Sequence, residues 1–251
     1  TFTRFRFYAS KLFNYGITID VMNKNPMKKV MVPKIERDTD KFDAFYSKDE
    51  LKVFLSDAEK RRFKWFVYFR LLAYSGMRKG ESLALKWSDI DFIHNTININ
   101  KSLTRGQHSH LYVSHGKTAH SVRLIDMDKV TMNYLKQWRI EQRKEMFKLG
   151  VNYLSDDNLV FANTKGKFIN PTKPRQWDEK ICKKYNLRFI KIHGFRHTHA
   201  SLLFETDGIT IKDVQERLGH ADINTTMNVY AHVTRSRQKE TASKFANFML
   251  D

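Results

Sequence analysis

HGFRHTHAS, residues 193–201, is the stretch from which the fold and chemistry of this chain are inferred. His193 and Arg196 are three positions apart, so they share one face of a helix or tight turn. Two further groups follow: LGH at residues 218–220 and YAH at residues 230–232. Each is weak evidence alone, because a single histidine or tyrosine is more often structural. Their combination in one order along the chain carries the information.

Local signals around these groups predict a mostly helical domain. Residues 47–50 (SKDE) and 210–213 (TIKD) are capping-box patterns, which begin helices. An apolar helix is predicted from residue 64 to residue 74, and the aromatic residues within it are expected to lie in the core. Asp128 can cap a long helix. Three glycines are placed to end helices: Gly76, Gly150 and Gly219.

Strand signals are few and lie in the middle of the chain. Alternation of polar and apolar residues predicts strands at residues 96–100 and 121–125. The polar segment between them contains Gly106, Gly116 and Lys117, which indicates the turns of a small antiparallel sheet. No alternation of strands and helices typical of a parallel sheet is found. The predicted fold class is therefore α+β, mainly α-helical, with a small antiparallel sheet.

Three segments are expected along the chain. Residues 1–30 carry a helical pattern of apolar side chains that one helix cannot bury alone, so they are interpreted as the C-terminal remnant of an N-terminal core-binding domain. Residues 31–44 are predicted to be a linker, and residues 45–251 the catalytic domain with a C-terminal tail. Because the sequence opens at Thr1 without Met, we expect it to be a fragment of a longer protein.

Charge and composition limit the function classes. The 251 residues contain 45 Lys and Arg against 27 Asp and Glu, a net charge of +18. This charge indicates an acidic partner, nucleic acid in the first place and an anionic membrane in the second. The single cysteine, Cys182, excludes an intramolecular disulfide and multi-cysteine zinc sites. No HExxH pattern accompanies the histidines, so no metal is expected. No segment is apolar enough to span a membrane, which predicts a soluble, intracellular protein.

Five motifs occur in an order that is specific as a set. They are GMRKGE at 76–81, KTAHSVR at 117–123, HGFRHTHAS at 193–201, LGH at 218–220 and TTMNVYAHV at 225–233. Over roughly residues 45–235 this set resembles the catalytic domain of the tyrosine recombinases, the phage-integrase family, and in particular integrases of bacteriophages and conjugative elements. The resemblance implies the tyrosine recombinase catalytic fold. Gly194 departs from the pattern, because many relatives carry an acidic residue there.

The resemblance implies a DNA strand cleavage and rejoining enzyme with Tyr230 as its nucleophile. Attack on a phosphodiester forms a 3′-phosphotyrosyl link and splits one difficult transfer into two reversible ones. Negative charge develops on the non-bridging oxygens, and the planar guanidinium groups of Arg78 and Arg196 suit that geometry. No metal or nucleotide cofactor is required, because the covalent link conserves the bond energy.

Proton transfer is assigned to the remaining residues of the set. A free phenol has a pKa of about 10, so Tyr230 needs a base, for which His193 is the candidate. His220 would donate to a phosphoryl oxygen, and Lys117 would protonate the leaving 5′-oxygen, with Lys101 as the alternative lysine. Glu81 is expected to form an ion pair with a nearby basic side chain and so hold the Arg78 region in place.

Partners and alternatives follow from the same resemblance. We expect double-stranded DNA attachment sites, a homotetramer on DNA with exchange of the C-terminal tail after Thr234, and accessory DNA-bending or excision factors, all in a bacterial cytoplasm next to the nucleoid. The alternatives are a type IB topoisomerase-like enzyme and a catalytically inactive DNA-binding module. The apolar tail residues fit packing in trans or in cis: Phe245, Phe248, Met249 and Leu250.

Overall fold

The computed structural model describes residues 2–31, 45–106, 110–115 and 122–219, together with residues 223, 226, 227, 229 and 230. The predicted site residues Lys117 and His220, and the predicted tail after Thr234, lie outside the described residues. The chain divides into two compact units, Thr1–Lys41 and Phe42–Asp251. The three predicted domain ranges remain a prediction.

The first unit contains one long helix. Helix α1 spans Phe2–Thr18, and a 3₁₀ turn follows at Pro26–Lys28. Asn25 caps that turn, and its side-chain amide also donates to Ser10 Oγ (2.9 Å) and Asn14 Oδ1 (2.6 Å), which ties the turn back to the helix. The apolar residues that predicted the helix are exposed on it: Phe5, Tyr8, Leu12 and Tyr15.

The second unit is mostly helical, as predicted. Both capping boxes are present, with Ser47 accepting from Glu50 N and Thr210 from Asp213 N, and Asp128 caps its helix through Thr131 N. The helices in chain order are α2 (Lys48–Arg61), α3 (Phe63–Ser75), α4 (Lys79–Ala84), α5 (Lys129–Lys148), α6 (Lys173–Tyr185), α7 (Gly194–Phe204) and α8 (Ile211–Leu218).

The strands form two antiparallel sheets. The first has the order β1-β2-β5, built from Ile90–Asp91, Thr96–Ile99 and Arg123–Asp126, with Ile97 opposite Ile125. The second is the pair β3 (Lys101–Arg105) and β4 (Leu111–His115), with Leu103 opposite Val113. The strands predicted at 96–100 and 121–125 are found at Thr96–Ile99 and Arg123–Asp126, and the polar segment between them contains a second strand pair.

The core is organised around α3, whose aromatic residues are buried as predicted. Phe69 packs edge-on against Phe54 of α2 (5.1 Å between ring centroids) and at 5.0 Å from Phe195 of α7. Trp65 stacks on Trp177 of α6 at 5.9 Å. Each fully buried aromatic side chain contributes about 1.5–3 kcal/mol, so α3 fixes α2, α6 and α7 around itself. Within the described ranges, no helix is long and apolar enough to cross a membrane.

Two glycines let the segment after α3 approach its neighbours closely. Gly76 ends α3 with φ +65°, and a Cβ there would lie 2.6 Å from both His199 Cδ2 and Leu218 Cδ2. A Cβ on Gly80 would lie 2.3 Å from Ser102 Oγ. Glycine is therefore required at both positions, and it brings residues 76–81 against α7, α8 and β3.

Candidate active site

Five of the seven predicted site residues are described, and they come from three parts of the second unit. Arg78 and Glu81 lie at the start of α4, His193 and Arg196 at the start of α7, and Tyr230 in a helical segment after α8. The roles of Lys117 and His220 stay predictions, because both residues are outside the described residues.

The C-terminus of α8 is the point where the arginines meet. Its last carbonyl groups accept from three different side chains: Arg217 O from Arg123 Nε (3.0 Å), Leu218 O from Arg196 (2.7 Å), and Gly219 O from Arg78 (3.3 Å). Carbonyls at a helix C-terminus lack intrahelical partners and carry partial negative charge, so guanidinium groups are stabilised there. Arg196 and Arg78 thus donate to two consecutive carbonyl groups, and His220 is the next residue in the sequence.

Arg196 is buried, with an exposed fraction of 3%. Besides Leu218 O, its guanidinium donates to Gly76 O (2.8 Å), so it bridges the end of α3 and the end of α8. Burial, and then the charges of Arg78 and Arg123, lower the pKa of Arg196, but a guanidinium stays protonated at neutral pH. The site therefore contains a fixed, desolvated positive charge suited to a phosphate oxygen.

His193 precedes α7 and is neutral at pH 7. Burial, followed by the neighbouring His197, Arg196 and Arg78, lowers its pKa to about 4. The rings of His193 and His197 are perpendicular, with centroids 4.7 Å apart. A neutral imidazole has a ring nitrogen free to accept a proton, but the lowered pKa makes it a weaker base than an ordinary histidine. The role of His193 as base therefore stays a prediction.

Glu81 forms the predicted ion pair with the Arg78 region, and it has a second partner. Its carboxylate accepts from Arg78 N (2.8 Å) and Arg78 Nη1 (2.9 Å), and from Arg123 Nη1 (3.2 Å) and Nη2 (2.8 Å). Burial alone would raise the pKa of Glu81, but the hydrogen bonds and charge of Arg123, and then of Arg78, lower it overall. Glu81 is therefore a buried carboxylate held ionised by two arginines.

Arg217 is an arginine that the sequence motifs do not identify, and it contacts α7. Arg217 Nε donates to His199 Nε2 (3.0 Å), so the His199 proton lies on Nδ1, which donates to Ala73 O (2.8 Å). Burial, and then the charge of Arg217, lower the pKa of His199 to about 3, which keeps this neutral tautomer. His199 therefore connects α3, α7 and α8 structurally.

Tyr230 lies against the helices that hold the arginines. Its ring packs edge-on against Phe204 at 5.2 Å, next to a small cluster that includes Val214 and Leu218 of α8. The side chain of Leu218 thus belongs to the cluster beside Tyr230, while its carbonyl accepts from Arg196. The predicted nucleophile therefore packs against a cluster that includes Leu218, whose carbonyl accepts from one of the predicted phosphate-binding arginines.

Lys101, the alternative lysine, is engaged in a mostly buried ion pair. Its Nζ contacts Asp89 Oδ1 at 2.5 Å and Asn100 Oδ1 at 3.1 Å. This ion pair gives Lys101 a structural partner, and its place as the alternative to Lys117 stays a prediction. In the described part of the chain, no group of three or more His, Cys, Asp or Glu side chains is arranged to hold a metal ion.

Comparisons with known proteins identify similar sequences. Residues 45–237 match the model of the phage integrase family. The ICEBs1 integrase of Bacillus subtilis (strain 168) is 32% identical over 96% of this chain, and a XerC-like tyrosine recombinase of Caldanaerobacter subterraneus subsp. tengcongensis is 31% identical over 96%. The chain spans only 63% and 64% of these two relatives, respectively.

A solved structure shares the fold. The Tn1549 transposon integrase in complex with a circular intermediate DNA superposes with a TM-score of 0.76 at 22% identity, covering 95% of this chain and 78% of that one. The predicted fold class, a mainly helical tyrosine recombinase catalytic fold with a small antiparallel sheet, is confirmed, and the strands form two such sheets where one was predicted.

Proposed function

Because the chain belongs to the phage integrase family, we propose that it is the catalytic part of a site-specific DNA recombinase. This enzyme cleaves and rejoins double-stranded DNA through a 3′-phosphotyrosyl intermediate. The observation that carries the proposal is the meeting of Arg78 and Arg196 on the carbonyls of Leu218 and Gly219. Two guanidinium groups held together in this way match the two non-bridging oxygens of a phosphodiester.

In the proposed reaction, Tyr230 Oη attacks the scissile phosphorus and the bond from phosphorus to the 5′-oxygen breaks. Arg78 and Arg196 stabilise the charge that develops on the non-bridging oxygens, as oxyanion-hole donors do. Their positions are fixed by backbone carbonyls before DNA arrives, so little reorganisation is needed. Attack of a 5′-hydroxyl on the phosphotyrosyl link reverses the step and rejoins a strand.

Two proton transfers accompany this cleavage. His193, neutral at pH 7 because its pKa is about 4, takes the proton of the Tyr230 hydroxyl. Lys117 gives a proton to the departing 5′-oxygen, and His220 donates a hydrogen bond to a phosphoryl oxygen. His220 directly follows Gly219, whose carbonyl accepts from Arg78, and this sequence position supports a role beside the arginines.

The proposed partners are double-stranded DNA attachment sites. The net charge of +18 supports them, because phosphate neutralisation supplies most of the affinity in such complexes. We propose a homotetramer on paired sites with exchange of the C-terminal tail after Thr234, accessory DNA-bending or excision factors, and action in a bacterial cytoplasm on a phage or conjugative element.

A nicked suicide substrate tests the proposal. Cleavage near a nick releases a short fragment that diffuses away, so the covalent complex accumulates and is seen on a denaturing gel. We expect a DNA–protein adduct on the element's own attachment site. Binding without an adduct would instead support an inactive DNA-binding module, and relaxation of supercoiled plasmid without paired sites would support a topoisomerase IB-like activity.

A further inference from the structure

Glu81 is shared unequally by its two arginines. Arg123 makes the bidentate contact, with Nη1 at 3.2 Å from Oε1 and Nη2 at 2.8 Å from Oε2. The side chain of Arg78 reaches one oxygen, Oε1, at 2.9 Å. The bidentate geometry is the stronger and more directional of the two, so Arg123 is the main partner of the carboxylate.

Burial separates the same two arginines. The side chains of Arg123 and Glu81 are each 7% exposed, whereas that of Arg78 is 41% exposed. Arg123 and Glu81 therefore form an inner pair, and Arg78 lies outside it. With its contacts to Glu81 Oε1 and Gly219 O, the Arg78 guanidinium still has N–H groups available for a phosphate among the five that arginine carries.

Resting on the proposed function, we propose that Arg123 is a positioning residue for DNA cleavage: by occupying both oxygens of Glu81, it keeps the Arg78 guanidinium available to the scissile phosphate. Without Arg123, a buried carboxylate would be left without its bidentate partner, which is a costly arrangement. Arg78 is the cation already in contact with that carboxylate. It would rotate into the bidentate contact and lose its orientation toward DNA.

A third contact of Arg123 reinforces this role. Its Nε donates to Arg217 O (3.0 Å), in the same run of carbonyls that accepts from Arg196 and Arg78. Arg123 also begins β5, six residues after Lys117 in the sequence. The Arg123 side chain thus links β5, Glu81 and the C-terminus of α8. In the sequence, β5 follows Lys117 and the end of α8 precedes His220.

Two simpler roles make different predictions. If Arg123 only adds positive charge for DNA, its loss would weaken DNA affinity, and the effect would fade at high salt. If Arg123 only stabilises the fold, its loss would lower the melting temperature, but the folded fraction would cleave saturating DNA at the normal rate. Positioning predicts a slower cleavage step at saturating DNA, at low and high salt alike.

The test compares four variants of the protein: Arg123→Met, Arg123→Lys, Glu81→Gln, and Arg123→Met combined with Glu81→Gln. Single-turnover cleavage of a saturating nicked attachment site gives the rate, and DNA affinity and thermal unfolding are measured separately. Arg175→Met is the matched control, because Arg175 pairs with Glu179 through an exposed contact of 2.7 Å on α6.

We expect Arg123→Met to slow cleavage by about 10- to 100-fold, the cost typical of a small misplacement at a reacting centre. The double variant with Glu81→Gln should cleave at least about fivefold faster than Arg123→Met alone, because the carboxylate that captures Arg78 is then gone. The cleavage rate of Arg123→Lys should lie between those of Arg123→Met and the wild type, since an ammonium group cannot bind both oxygens of Glu81 in a bidentate contact. Arg175→Met should match the wild type.

Three results would overturn the proposal: a wild-type cleavage rate in Arg123→Met, a double variant slower than Arg123→Met alone, or a loss confined to DNA affinity. If Arg123→Met does not fold, Arg123→Lys with and without Glu81→Gln provides the same comparison. Failure of the proposed function is distinguishable, because the wild-type protein itself would then form no covalent adduct.

Discussion

Asp178 of α6 provides a stability prediction with a defined pH window. It is fully buried; Oδ1 accepts from the Cys182 thiol at 3.3 Å, and Oδ2 has no hydrogen-bond partner among the described residues. Burial raises its pKa to about 7, against 3.8 for a free aspartate. Between these values the native state keeps the proton while the unfolded state has released it. Stability therefore falls as pH rises from about 4 to about 7 and changes no further above that.

The magnitude follows from the width of this window. Each pH unit well inside this window costs about 1.4 kcal/mol, and the cost falls off near pH 7, where the native carboxyl is half ionised. The wild type therefore loses about 2–3 kcal/mol through Asp178 between pH 5 and pH 7. Asp178→Asn does not titrate and escapes this loss. In a protein of this size, 1 kcal/mol shifts the melting temperature by about 2–4 °C. The melting temperature of the variant minus that of the wild type should therefore be about 5–10 °C larger at pH 7 than at pH 5.

Thermal unfolding of both proteins, followed by circular dichroism at half-unit steps from pH 4.5 to 8.5, measures the difference. Asp207→Asn is the control, because it makes the same chemical change at an exposed position. A difference between Asp178→Asn and wild type that stays constant across this range would refute the reasoning, as would one that shrinks with rising pH.

Three further predictions concern the site itself. Gly76→Ala should lower stability by about 1–3 kcal/mol, because the left-handed backbone and the contacts at 2.6 Å with His199 and Leu218 both oppose a Cβ; denaturant unfolding measures this, and an unchanged midpoint would contradict it. Arg196→Ala should slow cleavage by about 10²-fold or more while DNA affinity falls much less; equal losses would mean that Arg196 only positions DNA. Lys117→Ala should cleave normal DNA slowly but recover on DNA with a 5′-bridging phosphorothiolate, because a thiolate leaves without a proton; equal responses of variant and wild type would remove Lys117 from proton transfer.

The helical framework could be predicted because its signals are local. A capping box lies within four residues, as at Ser47 and Thr210, and a left-handed glycine directly follows the helix that it ends, as at Gly76. The apolar residues of α3 are numerous enough to indicate a buried helix without any tertiary information. These features therefore follow from the sequence alone.

Elements with weak local signals were missed. Helix α6 is rich in charged residues, and its buried side is formed by a few residues such as Trp177 and Ile181. Strand β3 (KSLTR) is largely polar, and β4 (LYVSH) has a short apolar run and no alternation, so neither shows the pattern that marks a half-buried strand. Strand β3 packs against α4, where Gly80 allows close approach to Ser102, a tertiary contact that no local pattern reveals.

The candidate site was predicted as a set of residues, but its supporting contacts were not. Arg123 stands in the motif at 117–123, yet its partner Glu81 is 42 positions away, and sequence spacing does not reveal such a pair. The same holds for Arg217 and His199, which lie on different helices. Contacts of this kind depend on how α7, α8 and β5 meet, which becomes visible only in three dimensions.

The central claim is that Tyr230 becomes covalently linked to DNA. Digesting the covalent complex with trypsin and nuclease, followed by mass spectrometry, locates the attached nucleotide on the protein. We expect the phosphonucleotide on the peptide that contains Tyr230, linked through the 3′-phosphate of the nucleotide just upstream of the break. We expect no adduct from Tyr230→Phe, although this variant still binds the site. An adduct mapped to any other residue, or one that persists in Tyr230→Phe, would contradict the account.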